Sequence, residues 1–114
     1  MRYTGTSYWY DYSDTELKSH PIPSATLNAG PVVMELELDG DRGTLRETDR
    51  QGFLHNCDYS WQSDPQNGGT CHLERFDGPD GKVIFSGEWS GKTMKQSGKW
   101  WIHLTPSTSN STST

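Results

Sequence analysis

Alternation of apolar and polar side chains with a period of two runs through most of this 114-residue chain, and that period predicts strands rather than helices. Val32, Met34, Leu36 and Leu38 alternate with Val33, Glu35, Glu37 and Asp39. Phe53, His55, Cys57, Tyr59 and Trp61 share one face of a second segment, leaving Leu54, Asn56, Asp58 and Ser60 on the other. A first strand over residues 2–12 alternates Tyr8, Tyr10 and Tyr12 with Trp9 and Asp11. Further strands are expected over 44–50, 70–76, 82–90 and 97–104.

The breaks between these segments carry turn chemistry. Gly40-Asp41-Arg42-Gly43 reverses the chain and is expected to set Leu45 opposite Leu38 and Arg46 opposite Glu37. Gln51-Gly52 makes a reversal or a bulge, and Asn67-Gly68 suits a type I′ hairpin. Asp77-Gly78-Pro79-Asp80-Gly81 is a further turn. Short local links between successive strands imply an all-β, seven- to eight-stranded antiparallel meander. Its expected form is a small up-and-down barrel, with a two-layer sandwich as the alternative.

One stretch breaks the rhythm. Ser13-Asp14-Thr15-Glu16 fits a capping box, which predicts a helical turn through Leu17 and Lys18 that ends before Pro21 and Pro23. Residues 13–31 are therefore expected to form a long first loop, of the kind that serves as a lid. Residues 1–105 are read as one domain. Residues 106–114, rich in Ser and Thr, are read as a disordered tail.

The end of the chain repeats S-G-x-W, as Ser86-Gly87-Glu88-Trp89 and Ser97-Gly98-Lys99-Trp100. Pairing Gly91 with Gly98 would place Trp89 against Trp100, Gly87 against Ile102 and Phe85 against Leu104. In that register the two tryptophans are core packing, while Ser86, Glu88, Trp101 and His103 fall on the opposite face. Trp101 is then a large aromatic on a polar side.

Composition narrows the function classes. Only 30% of residues are hydrophobic, so the core is thin and leans on five Trp, five Tyr and three Phe. A formal charge of −5 disfavours a nucleic-acid or anionic membrane partner. Lys92, Lys95 and Lys99 form a local basic cluster, read as a solvated loop or a contact for an acidic group. The opening MRYTGTSYWY lacks the apolar stretch of a signal peptide, which leads to the expectation of a cytoplasmic protein with reduced thiols.

Candidate chemistry is sparse. His55, Cys57, Cys71 and His72 do not have the spacing of a zinc site, and adjacent Cys71 and His72 must point to opposite faces, so no metal and no cofactor is expected. Cys57 and Cys71 are expected as buried thiols, with a cross-hairpin disulfide as the alternative in an exported chain. His55, His72, His103, Glu88, Glu74 and Asp58 are the possible general acids and bases. The expected register favours Glu88 with His103 as a weak catalytic pair.

The order of an aromatic first strand, a long loop and a β-meander resembles calycin-type barrels such as the lipocalins. The resemblance is architectural. The lipocalin pattern of glycine two residues before tryptophan is missing, since Gly5 is followed by Thr6, Ser7, Tyr8 and Trp9, and the chain is short for that family. An aromatic-rich meander with polar residues on one face leads to the expectation of a barrel that binds a small hydrophobic or aromatic molecule. Tyr10, Tyr59, Trp61 and Trp101 would be its aromatic walls, and His55, Glu88 and His103 its polar contacts. An acid–base isomerase, cyclase or lyase on the same barrel, and an interaction or homo-oligomerisation module, are the other readings.

Overall fold

A computed structural model describes residues 2–27, 32–38, 40–63, 68–91 and 96–107. Eight antiparallel strands form a closed barrel in chain order: β1 (Arg2–Asp11), β2 (Lys18–Leu27), β3 (Val32–Leu38), β4 (Asp41–Gln51), β5 (Leu54–Trp61), β6 (Gly69–Asp77), β7 (Val83–Gly91) and β8 (Ser97–Pro106). β1 pairs with β8 over nine residues and closes the ring, so no sheet edge is left open along that seam. The meander expected from the alternation is an up-and-down barrel, with no second layer.

The expected loop over 13–31 is not a loop. β2 occupies its second half and supplies a wall, pairing with β1 from Arg2↔Thr26 to Trp9↔Lys18. The capping-box helix is absent as well. Asp11, rather than Ser13, organises the turn: its carboxylate accepts from the Ser13 N–H at 2.9 Å and the Ser13 hydroxyl at 2.8 Å. The Asp11 carbonyl meanwhile accepts from the N–H groups of Asp14 and Thr15. Thr15 then takes a left-handed φ of 59° and returns the chain to extended form. Pro21 and Pro23 signalled irregular chain, yet a proline is compatible with a strand where no ladder donor is required. Among the described residues β2 pairs with β3 at Ala25, Thr26 and Leu27, and both prolines lie outside that ladder.

Inward-facing residues run in rows around the ring, with glycines beside the large rings of Trp89 and Trp100. One row runs Trp9, Trp100, Gly87, Leu73, His55 across β1, β8, β7, β6 and β5. The next runs Asp11, Gly98, Trp89, Cys71, Cys57, Glu47 and reaches β4. Phe85, Ile22, Met34, Leu36, Leu45, Leu73, Ile102 and Leu104 are fully buried and fill the waist.

Two expected registers shift, each without exchanging faces. In the closing hairpin, Trp89 pairs with Gly98, Gly87 with Trp100 and Phe85 with Ile102. That register sets each hairpin indole opposite a glycine, where the missing side chain leaves room for the ring. Glycine is also enforced from the neighbouring strands: a Cβ on Gly87 would lie 1.7 Å from the His72 carbonyl oxygen, and one on Gly98 would lie 1.8 Å from that of Tyr10. Between β3 and β4, Leu38 pairs with Asp41 and Met34 with Leu45. That pairing leaves a two-residue connection, and its Gly40 has a φ of 75°. Asp-Gly chemistry suits a primed turn, so the tighter hairpin wins over the four-residue one.

The turn at Asn67-Gly68 falls partly outside the described residues, as do Lys92 and Lys95 and the tail from 108. Pro106, assigned to the tail, is the last residue of β8, and Ser107 N–H donates to the Arg2 carbonyl. Among the described residues no helix is long and apolar enough to cross a membrane.

Candidate functional site

β1 climbs from Arg2 to Asp11, so one barrel end carries the β1–β2, β3–β4, β5–β6 and β7–β8 connections. The inward rows become aromatic toward that end. Ser7 and Trp9 arrive from β1, His20 from β2, Leu38 from β3, Tyr59 and Trp61 from β5, Trp89 from β7 and Trp100 from β8. Together they line a cavity of about 260 Å³. All but Ser7 and Trp100 are half-buried, which marks a pocket that meets solvent at its mouth. The β2 segment from Lys18 to Ser24, which precedes the ladder to β3, brings His20 to this space, which Leu38 also lines.

Four of the five rings have a glycine as cross-strand partner: Gly43 faces Trp61, Gly69 faces Tyr59, Gly87 faces Trp100 and Gly98 faces Trp89. Where the partner has no side chain, a ring can lie against the wall and leave the lumen open. The rings brace one another edge to face: Trp9 on Trp89 at 5.8 Å and 83°, Tyr59 on Trp100 at 5.7 Å and 73°, Tyr59 on Trp61 at 6.3 Å and 66°. These are the perpendicular arrangements that aromatic quadrupoles favour. His20 stacks on Trp9, with ring centroids 6.5 Å apart.

The polar edges of two indoles are spent on the wall. Trp100 Nε1 donates to Ser7 Oγ at 2.8 Å, and Trp89 Nε1 donates to the Tyr10 carbonyl at 3.3 Å. Burial pushes the Tyr59 phenol up to about 12, which keeps it a neutral donor. At the mouth, Asp11 and Asp41 continue the inward alternation of β1 and β4. Both stay ionised at lower pH than a free aspartate: Asp11 through the Ser13 N–H and hydroxyl, Asp41 chiefly through the Ser63 hydroxyl.

The expected site residues divide between the two barrel surfaces. Tyr59 and Trp61 line the cavity. His55 also faces inward, but nearer the opposite end, where its Nδ1 donates to Glu47 Oε1 at 2.7 Å and its ring lies 6.2 Å from Phe85. Tyr10, Trp101, Glu88 and His103 are on the outer face and do not line the cavity. The odd-numbered positions of β1 and the even-numbered ones of β8 fill the lumen, which turns these four outward. Trp101 is half-buried there, its ring 5.8 Å from that of Tyr10.

Glu88 and His103 do not form the expected pair. Glu88 stands opposite Lys99 and accepts a hydrogen bond from the Tyr12 hydroxyl, while His103 stands opposite Ile84 and packs edge-on against Tyr8 at 5.1 Å. The two-residue register shift moved them apart. His72 is on the outer face, hydrogen-bonded to Asn56, whereas Cys57, Cys71 and His55 point inward, so these four side chains do not converge. Cys57 and Cys71 are free thiols, buried and directly opposed on β5 and β6.

Sequence reasoning missed Ser7, Trp9, His20 and Leu38, and it read Trp89 and Trp100 as packing alone. The S-G-x-W repeat held the missing signal, because each glycine makes room for the other repeat's indole. Leu38 carried the alternation of β3, which marked it as inward-facing, whereas His20 had no signal, since it became a wall residue only when β2 proved to be a strand. Comparison with protein-family models, with curated proteins and with solved structures found no match for this chain.

Proposed function

We propose that this protein binds a small, largely apolar organic molecule with a ring or compact hydrocarbon body in the aromatic end of its barrel. One observation carries the reading: a cavity of about 260 Å³ lined by Trp9, Tyr59, Trp61, Trp89 and Trp100 and open at the barrel mouth. Small-molecule pockets run to roughly 300–1,000 Å³ and combine apolar walls with a few orienting polar groups. This pocket is just under that range, which suits a ligand of one or two rings. Ser7, His20 and Tyr59 are its polar groups.

Tryptophan emission reports directly on this site, since four of the five tryptophans line it. Titration with neutral aromatics such as indole should quench and shift the emission saturably. Native mass spectrometry should show one bound molecule per chain. Trp61→Ala should weaken binding by at least about tenfold, the range for losing a buried aromatic contact. An emission spectrum indifferent to a panel of such ligands, with no bound species by mass, would defeat the reading.

A further inference from the structure

We propose that the pocket selects an organic cation, an alkylated ammonium or protonated amine on a small hydrocarbon body, over a neutral molecule of the same shape. This rests on the pocket reading above and specifies the ligand class.

The first ground is the wall. Among the described residues its lining holds no carboxylate, lysine or arginine, and the Trp89 and Trp100 N–H edges are turned into the wall. Beside the polar groups of Ser7, His20 and Tyr59, the lumen is lined by ring surface that meets in near-perpendicular pairs. Aromatic faces attract a cation through their quadrupole, and more strongly when it is desolvated.

The second ground is a cation already in place. Lys18, at the start of β2, holds its ammonium 4.8 Å from the centroid of the Trp9 ring. One pocket ring therefore engages positive charge at the mouth within the chain itself. The same ammonium is 3.3 Å from Asp14, so ring and carboxylate act on it together.

The third ground is the field at the mouth. Asp11 and Asp41 stand on inward-facing positions at the ends of their strands, each fixed by a serine. Among the described residues, the segments at this end (11–18, 40–41, 62–63 and 96) hold four carboxylates: Asp11, Asp14, Glu16 and Asp41. Lys18 is the lysine that opposes them in these described segments. An acidic rim over low-dielectric walls raises the local concentration of cations and repels anions.

The test compares isosteres on the intact chain. Choline and 3,3-dimethylbutan-1-ol differ by a charged nitrogen in place of a carbon, and indole serves as a neutral aromatic. Titrations followed by tryptophan emission and calorimetry should show choline binding about tenfold tighter than the alcohol. Asp41→Asn should weaken choline several-fold and leave the alcohol unchanged. Equal or tighter binding of the alcohol overturns the cation inference. If indole or the alcohol binds and choline does not, the cation inference falls while the pocket reading stands. Binding by none of the three defeats both.

Discussion

The Trp100 indole N–H donates to Ser7 Oγ at 2.8 Å, a hydrogen bond in the interior between the strands that close the barrel. Ser7 is 1% exposed and Trp100 5%, so the bond is largely shielded from water. Ser7→Ala leaves the indole N–H buried and unpaired, at a cost of about 1–3 kcal/mol. Urea unfolding measures it, and a Ser7→Ala variant as stable as the parent would show that the bond contributes nothing.

Gly87 and Gly40 are both glycines by necessity, for different reasons and with different consequences. A Cβ at Gly87 must push β6 and β7 apart, because the His72 carbonyl is 1.7 Å from its position. Gly87→Ala should cost about 3 kcal/mol or more, at or beyond the usual range for overpacking. Gly40 has open space but a φ of 75°, so Gly40→Ala should cost only about 1–2 kcal/mol. Thermal melts of the two variants should rank in that order.

Acid should unfold the protein partly through Asp11 and Asp41. Hydrogen bonds from Ser13 and Ser63 hold both carboxyls below the ordinary 3.8 in the folded state. A depressed folded-state value stabilises the fold above 3.8, and the gain is lost as the pH falls through the folded-state values. Melting temperature should therefore drop below about pH 4. Asp41→Asn should flatten that limb, and an unchanged acid limb in the variant would remove Asp41 from the account.

Alkali should act through two tyrosines. Tyr12 is pushed up to about 12 chiefly by its hydrogen bond to Glu88, and Tyr59 to about 12 by burial. The sign is opposite to the acid case: stability is full below 10.0 and declines as the pH rises through the folded-state values. Tyrosinate absorbance should show two late-ionising groups. Glu88→Gln should bring one of them toward 10.0, and no change on that substitution would break the assignment.

Cys57 and Cys71 should resist alkylation in the folded protein and react readily in urea, as both are buried. A hydrogen bond between the thiols lowers Cys57 and raises Cys71, whose burial pushes it further up. The thiolate is the reactive form. Peptide mapping after brief iodoacetamide treatment should find the first adduct on Cys57; Cys71 reacting first would contradict the assigned direction of the bond.

Several features were legible in the residues themselves. A period of two needs no tertiary information, so the division of β5 into one face of His55, Cys57, Tyr59 and Trp61 and another of Asn56, Asp58 and Ser60 could be read directly. Turn chemistry marked the ends of β4 through β8 to within a few residues. The hairpin register was readable only to within two residues, because a shift by two keeps every side chain on its face. That shift nonetheless decided whether Glu88 met His103, and it placed each indole over a glycine.

The sequence by itself determined the strand class, the meander order and the two faces of most strands, since each follows from local alternation and turn preference. Tertiary structure alone decided that Lys18–Leu27 is a wall of the barrel, because a strand with two prolines is stable only when β1 supplies its ladder on one side. It also decided which face became the lumen. Ring closure by β1 and β8 put Trp9 and Trp100 inside and Tyr10 and Trp101 outside, and a one-dimensional pattern carries no record of which way a sheet will curl.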